Sequence, residues 1–247
     1  MRPYLYFVPM LMLLLGCASE KALTFEPLLI EKKTCTDCSE VAIQIPRAVG
    51  KTRLVNTINT ALTETIISML HFDDSLAVTD LESAAQSFLE GQRQLETKIM
   101  QTAMPWEASI EGNLAYEDAR VMTIQLNTYI YTGGAHGYGE VIFMNFDKEK
   151  EVELEPADLI SDLPGFTAFV EQRFRAQQQI APDAPINSTG LMFENNVFRL
   201  PQNMGFTEEG LQLYYAPYEI AAFADGPIVL TLPLEVCLPY LSIGAAS

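Results

Sequence analysis

The hydrophobic period of the chain changes several times, and each change predicts an element. An almost unbroken apolar run fills residues 4–15 behind Arg2 and ends at Gly16-Cys17. It falls short of the roughly 20 apolar residues that a spanning helix needs. With one positive charge ahead of it, it has the pattern of a secretory leader. Residues 18–34 show no period and read as a tether. Val41, Ile43 and Ile45 share one face of a short strand that ends at Pro46. Over about 51–70 the period becomes 3.6: Leu54, Val55, Ile58, Ala61, Leu62, Ile66, Met69 and Leu70 line one side of a helix. Residues 71–78 break it, with His71 placed as a C-terminal cap residue. A second helix starts at Thr79, where Thr79 and Glu82 have the spacing of a capping box. Its stripe is Leu81, Ala85, Phe88, Leu95 and Ile99, and Pro105 stops it.

The period then drops to 2. Trp106, Ala108, Ile110, Leu114 and Tyr116 alternate with polar residues in a strand with one wet face. In the next strand, 120–132, Met122, Ile124, Leu126 and Ile130 oppose Thr123, Gln125, Asn127, Tyr129 and Tyr131. Gly133-Gly134-Ala135-His136-Gly137 connects it to a third strand, 138–146, that is apolar on both faces, since paired glycines reach positive φ cheaply. Three strands on short connections imply an antiparallel meander. A short helical turn at 155–160 and a helix at 164–180 follow, the latter burying Phe166, Phe169, Val170 and Phe174. After a proline-rich loop, strands are predicted at 197–201, 211–215 and 228–232, and Pro233 opens a terminal helix carrying Cys237. This order predicts an α+β fold of mainly antiparallel sheet with helices packed on one face.

Composition narrows the class. At 49% apolar and 10% aromatic the chain is globular. Its net charge of −17 grows by one negative unit if Arg2 leaves with the leader. That charge argues against nucleic acid and anionic lipid surfaces as direct partners, and favours a cationic one. Leu14-Leu15-Gly16-Cys17 followed by Ala18-Ser19 matches the lipobox of bacterial lipoproteins, in which the cysteine is acylated and the leader is cut before it. The expectation is a leader over 1–16, a membrane anchor through lipid on Cys17, and a body facing the periplasm from the outer membrane. Two or three acyl chains on one residue anchor durably. Cys35-Thr36-Asp37-Cys38 reads as a redox pair, half a zinc site or a small disulfide loop. A structural Cys35–Cys38 bridge with Cys237 buried is favoured, and Cys237 as partner to either one is the alternative. No second Cys-x-x-Cys or nearby His completes a metal site, and no cofactor motif is present.

Candidate chemistry centres on His136, one of two histidines. Tyr129, Tyr131 and Tyr138 flank its loop. No Gly-x-Ser-x-Gly elbow supplies a nucleophile for it. Its plain role is to fix a tight turn through its ring nitrogens, and the alternative is acid–base work with a carboxylate such as Glu219. Tyr214-Tyr215-Ala216-Pro217-Tyr218-Glu219-Ile220 is a second aromatic segment, suited to core packing or, if exposed, to stacking on sugar rings or anchoring a protein partner.

At these two segments the chain resembles a known family. Tyr131-Thr132-Gly133-Gly134-Ala135-His136-Gly137 with Phe143-x-Asn145-Phe146-Asp147, and Gly210-Leu211-x-Leu213-x-Tyr215-x-Pro217-Tyr218-Glu219-Ile220, resemble the signature of the RsiV-like extracellular domain. The small companion domain that often precedes it resembles residues 40–130. With a tether read over 17–39, the resemblance implies an N-terminal α+β region over 40–130 and an RsiV-like α+β region over 131–247. The family's best-understood members are anti-sigma factors whose outer domain binds lysozyme, and related domains accompany peptidoglycan deacetylase modules. No second segment is apolar enough to cross a membrane, so signalling across it is not expected. What carries over is a non-enzymatic binding role toward a cationic lysozyme-type hydrolase or wall glycan, with Tyr131, Gly133, Gly134, His136, Tyr138, Tyr218 and Glu219 as the binding residues. A peptidoglycan-modifying enzyme using His136 and a carboxylate is the alternative.

Overall fold

The computed structural model describes residues 23–33, 35, 38–73, 76–100 and 104–242. The leader and Cys17 lie outside the described residues. A six-stranded sheet runs in the order β1 (Thr24–Lys33), β2 (Glu40–Val49), β3 (Glu107–Glu117), β4 (Val121–Tyr131), β5 (Tyr138–Asp147) and β6 (Val152–Leu154). All neighbours are antiparallel except β2 and β3. That parallel pair needs a long crossover, which the helices α1 (Arg53–Leu70) and α2 (Leu81–Ile99) supply. After the short α3 (Pro156–Leu159) and the longer α4 (Leu163–Gln177), a second antiparallel sheet follows: β7 (Asn203–Thr207), β8 (Gly210–Tyr215) and β9 (Ile228–Leu232). A single turn, α5 (Leu234–Cys237), holds Cys237 in the interior. The fold is α+β. No helix among the described residues is long and apolar enough to cross a membrane.

Both helices form where the period of 3.6 places them. Thr52 caps α1 by accepting from the Val55 amide at 3.2 Å, and the His71 amide closes its far end on Ile67 O. The capping box of α2 sits one residue later than Thr79 and Glu82 imply. Asp80 Oδ1 accepts from the Ser83 amide at 2.7 Å, and Ser83 Oγ accepts from the Asp80 amide at 3.1 Å. A carboxylate is the stronger acceptor for the free amides of a first turn. The Ser83 backbone hydrogen bond accordingly holds the Asp80 carboxyl below its ordinary range.

The stretch expected as a tether is in part a strand. Residues 24–33 pair with β2 along ten positions, and Leu28 and Ile30 turn toward the core. Pro27 and the charges on the outward positions hide this from periodicity, yet both suit an edge strand, where no neighbour needs the missing amide. In the last third, 197–201 is not a strand. Val197 is exposed and Phe198 plugs the core instead, while the pairing starts at Asn203, past Pro201, which has no amide to give. Cys35 and Cys38 are joined in a disulfide. Cys237 is a buried free thiol, so it pairs with neither, and burial pushes its pKa up to about 11.

Two hydrophobic cores lie on opposite faces of the large sheet. The inner positions of β2, β3 and β4 meet Ile58, Leu62, Ile66, Ala85 and Phe88 of α1 and α2 in the first. The second gathers Phe166 and Phe174 of α4 with Phe206, Leu211, Leu213 and Tyr215 of the small sheet. The alternation along β4 serves both: Met122, Ile124 and Leu126 face the first core, and Val121 faces the second. The face that alternation marks as polar is therefore covered. Thr123 and Asn145 are buried there because β7 supplies their partners. Thr123 Oγ1 donates to Asn145 Oδ1 at 2.8 Å and accepts from the Phe206 amide, while Asn145 Nδ2 donates to Met204 O at 2.9 Å. Asn203 stands in for a strand beside β5: its Oδ1 accepts from the Phe143 amide and its Nδ2 donates to Val141 O. The boundary expected at 130/131 thus falls inside one sheet, since β5 pairs with β4 from end to end.

Candidate ligand-binding site at the glycine loop

Residues 132–137 join β4 to β5, and the long loop from β8 to β9 comes up beside them at the same end of the molecule. Gly133 and Gly134 have φ of +93° and +100°. Open space surrounds both, so backbone conformation and not crowding selects glycine there. Gly137 is different: a Cβ would lie 2.4 Å from the Tyr129 ring, which packs on its backbone. Tyr131 Oη donates to Gly134 O at 3.1 Å and lies 3.3 Å from Met104 Sδ, which ties the loop back to the end of its own strand.

His136 is exposed. Its Nδ1 is 2.9 Å from Gly137 O, so the tautomer protonated at Nδ1 makes that bond. Its ring stacks on Phe223, with centroids 3.9 Å apart and planes 17° from parallel. Phe223 opens a 3₁₀ turn in the β8–β9 loop and also stacks on Tyr218 at 5.1 Å. Tyr218 is 59% exposed and has a φ of +70°, a conformation that costs a non-glycine residue energy and is held by its surroundings. Three rings from two loops thus share one surface.

Beside this stack lies a half-buried cluster of acids and phenols. Tyr138 Oη is 3.5 Å from Glu140 Oε2. Burial first, then the charge of Glu140, pushes the Tyr138 phenol up to about 12. Burial raises Glu140 above the usual carboxylate range against a small opposing pull from the Tyr138 hydrogen bond, and burial raises Tyr214 as well. Glu219 spends both carboxylate oxygens on other partners. Its Oε2 accepts from the Ala216 amide at 3.0 Å and its Oε1 lies 3.7 Å from Arg199 Nη2, so it closes its own turn and holds Arg199.

Of the residues marked in the sequence, the structure joins His136 and Tyr218 through Phe223 and puts Tyr138 within electrostatic reach of Glu219. Tyr131, Gly133 and Gly134 shape the loop. Sequence reasoning missed Phe223 and Glu140. Phe223 is a lone aromatic between alanines before the Asp225-Gly226-Pro227 turn, and only its position in a loop hints that it is not core. Among the described residues no three His, Cys, Asp or Glu side chains converge as metal ligands. The ring surface can offer flat apolar faces to a ligand, and the backbone of the loop can offer hydrogen bonds around them.

The arrangement defines a two-core α+β protein with a stack of three aromatic rings at one sheet end. Residues 32–138 match the family model described as deacetylase PdaC. Residues 157–235 match that of a protein of unknown function, DUF3298. A member of the DUF3298 family from Bacteroides fragilis has a similar structure, with a TM-score of 0.70 at 17% identity over 90% of this chain and 94% of that one. A DUF3298 family protein from Pseudomonas aeruginosa gives 0.65 at 18% identity over 90% and 96%. At such identities the likeness establishes the shared fold. No curated protein matches the chain.

Proposed function

We propose that this chain is an envelope lipoprotein, anchored through lipid on Cys17 and facing the periplasm from the outer membrane, that binds a cell-wall glycan without transforming it. The observation that carries the reading is the stack of exposed His136 and Tyr218 on half-buried Phe223. The C–H faces of sugar rings carry partial positive charge and pack on the negative faces of aromatic rings. The RsiV-like resemblance sits in wall chemistry, and residues 32–138 match a family model named for a deacetylase, which supports a glycan ligand. A second reading, a cationic lysozyme-type hydrolase as the bound partner, is favoured by the charge of −17, because opposite charge speeds encounter.

Calorimetry tests both with the mature chain carrying Cys17→Ser, titrated with soluble peptidoglycan fragments and with lysozyme at low and moderate salt. Binding of the fragments is expected, and Phe223→Ala should weaken it by about fivefold or more, the cost of losing a central aromatic anchor. Absence of heat with both titrants ends this reading. A change in the mass of the fragments, lost in His136→Ala, would instead favour the enzyme that uses His136 with a carboxylate. Acylation is read separately, from the mass of the Cys17 peptide of cell-derived protein.

A further inference from the structure

The large sheet has two ends, and the chain equips them with different side chains. Thr24 of β1 pairs with Val49 of β2, so β1 begins where β2 finishes. The β3–β4 and β5–β6 turns and the start of α1 lie at that same end. The glycine loop and its ring stack lie at the other. With eleven residues in β4, the ends are about 35 Å apart at roughly 3.3 Å per residue. Cys17 precedes Thr24 by seven positions. Whatever path they take, seven residues reach no more than about 25 Å. An anchor on Cys17 therefore keeps the β1–β2–α1 corner near the bilayer.

That corner carries Arg47, Lys51 and Arg53, all exposed, and none of them forms an ion pair among the described residues. Two acids stand by them. Glu26 stands opposite Arg47 in the strand register, and the Glu151 carboxylate accepts from the Leu54 amide at the start of α1. In the neighbouring turns Lys148 pairs with Glu117 and Lys150 with Asp147, beside Asp118, Arg120 and Glu149. Glu208 and Glu209 close the same end of the second layer. The sheet end as a whole is not basic, since the acids named there outnumber the bases by eight to six, but at the β1–β2–α1 corner Arg47, Lys51 and Arg53 stand against Glu26 and Glu151 in a body of net charge −17.

We propose that the protein stands on the membrane by this corner, with Arg47, Lys51 and Arg53 against anionic lipid headgroups and the ring stack pointing away toward the wall. The inference rests on the anchor proposed at Cys17. Basic side chains within a Debye length, about 8 Å, of an anionic leaflet are drawn to it. The rest of the acidic body is repelled by the same surface, which turns the molecule the same way. The anchor holds the corner at high local concentration, so a weak attraction is enough to orient it.

The test couples the mature chain through its Cys17 thiol to a maleimide lipid in vesicles. Cys35 and Cys38 are bonded to each other and Cys237 is buried, so the coupling is selective. It also fixes the anchor whether or not cells acylate Cys17, so failure of the lipoprotein reading and failure of this one are told apart. Acylation of Lys51 by a water-soluble amine reagent is compared with that of Lys98, on the last turn of α2. In vesicles of phosphatidylcholine with added phosphatidylglycerol, Lys51 should react severalfold more slowly relative to Lys98 than in phosphatidylcholine alone. High salt, and the Arg47→Glu/Arg53→Glu variant, should each remove the difference. Equal reactivity of Lys51 in the two vesicle types, or protection that survives in the variant, overturns the proposal.

Discussion

Glu140 shows how one residue can set a pH response. It begins the chain's climb out of the glycine loop, half buried, with Tyr138 as its hydrogen-bond partner and no ion pair among the described residues. Burial raises its pKa, so the folded chain holds that proton more tightly than the unfolded chain does. Between the ordinary carboxylate value and the raised one, the native state binds more protons. Stability attributable to Glu140 is thus complete below that window and is lost as pH rises through it. Glu140→Gln keeps the shape and removes the titration. Relative to the parent, the variant should gain stability as pH climbs from about 4 to about 8, read from urea midpoints across that range. A gap between the two proteins that stays constant with pH removes the claim that Glu140 is held in this state.

Elements meet through contacts that sequence shows unevenly. β7 crosses β5 so closely that a Cβ on Gly205 would lie 2.4 Å from Phe143 Cβ. No side chain end can swing away from that clash, so the layers must part. Gly205→Ala should cost about 1–3 kcal/mol, as overpacking does, seen as a lower urea midpoint at unchanged slope. A midpoint equal to the parent's means the layers are looser than this geometry. Nothing in the sequence marks Gly205, because the need for it arises from a strand more than sixty positions earlier. The same holds for Thr123 and Asn145, whose polar side chains read as solvent-facing until β7 is laid over them. By contrast, α1 and α2 were legible because their stripes repeat over eighteen and nineteen residues. β1 was not, since Pro27 interrupts ten residues with only one side chain fully buried. At the site, the glycine loop announced itself by composition. Phe223 did not, because its meaning comes from His136 and Tyr218 reaching it across two loops.

The two cores share one sheet, and this decides how the molecule unfolds. β4 contributes Met122, Ile124 and Leu126 to the first core and Val121 to the second, so neither can dissolve without baring strands of the other. Local unfolding of one half should therefore be costly, and the chain should melt as a single unit. Trp106 is the only tryptophan and belongs to the first core, packed at 5.1 Å from Phe72 and 5.3 Å from Phe88. It is a reporter with no atom in the second core's cluster. Leu213 is fully buried in that second core, and truncating such a leucine costs about 2–5 kcal/mol. In Leu213→Ala the loss should appear undiminished in Trp106 fluorescence, with a urea midpoint that coincides with the one from far-ultraviolet circular dichroism. A Trp106 transition that stays at the parental midpoint while the dichroism shifts would mean the sheet does not couple its two faces. The description of one body with two cores would then give way to two independent ones.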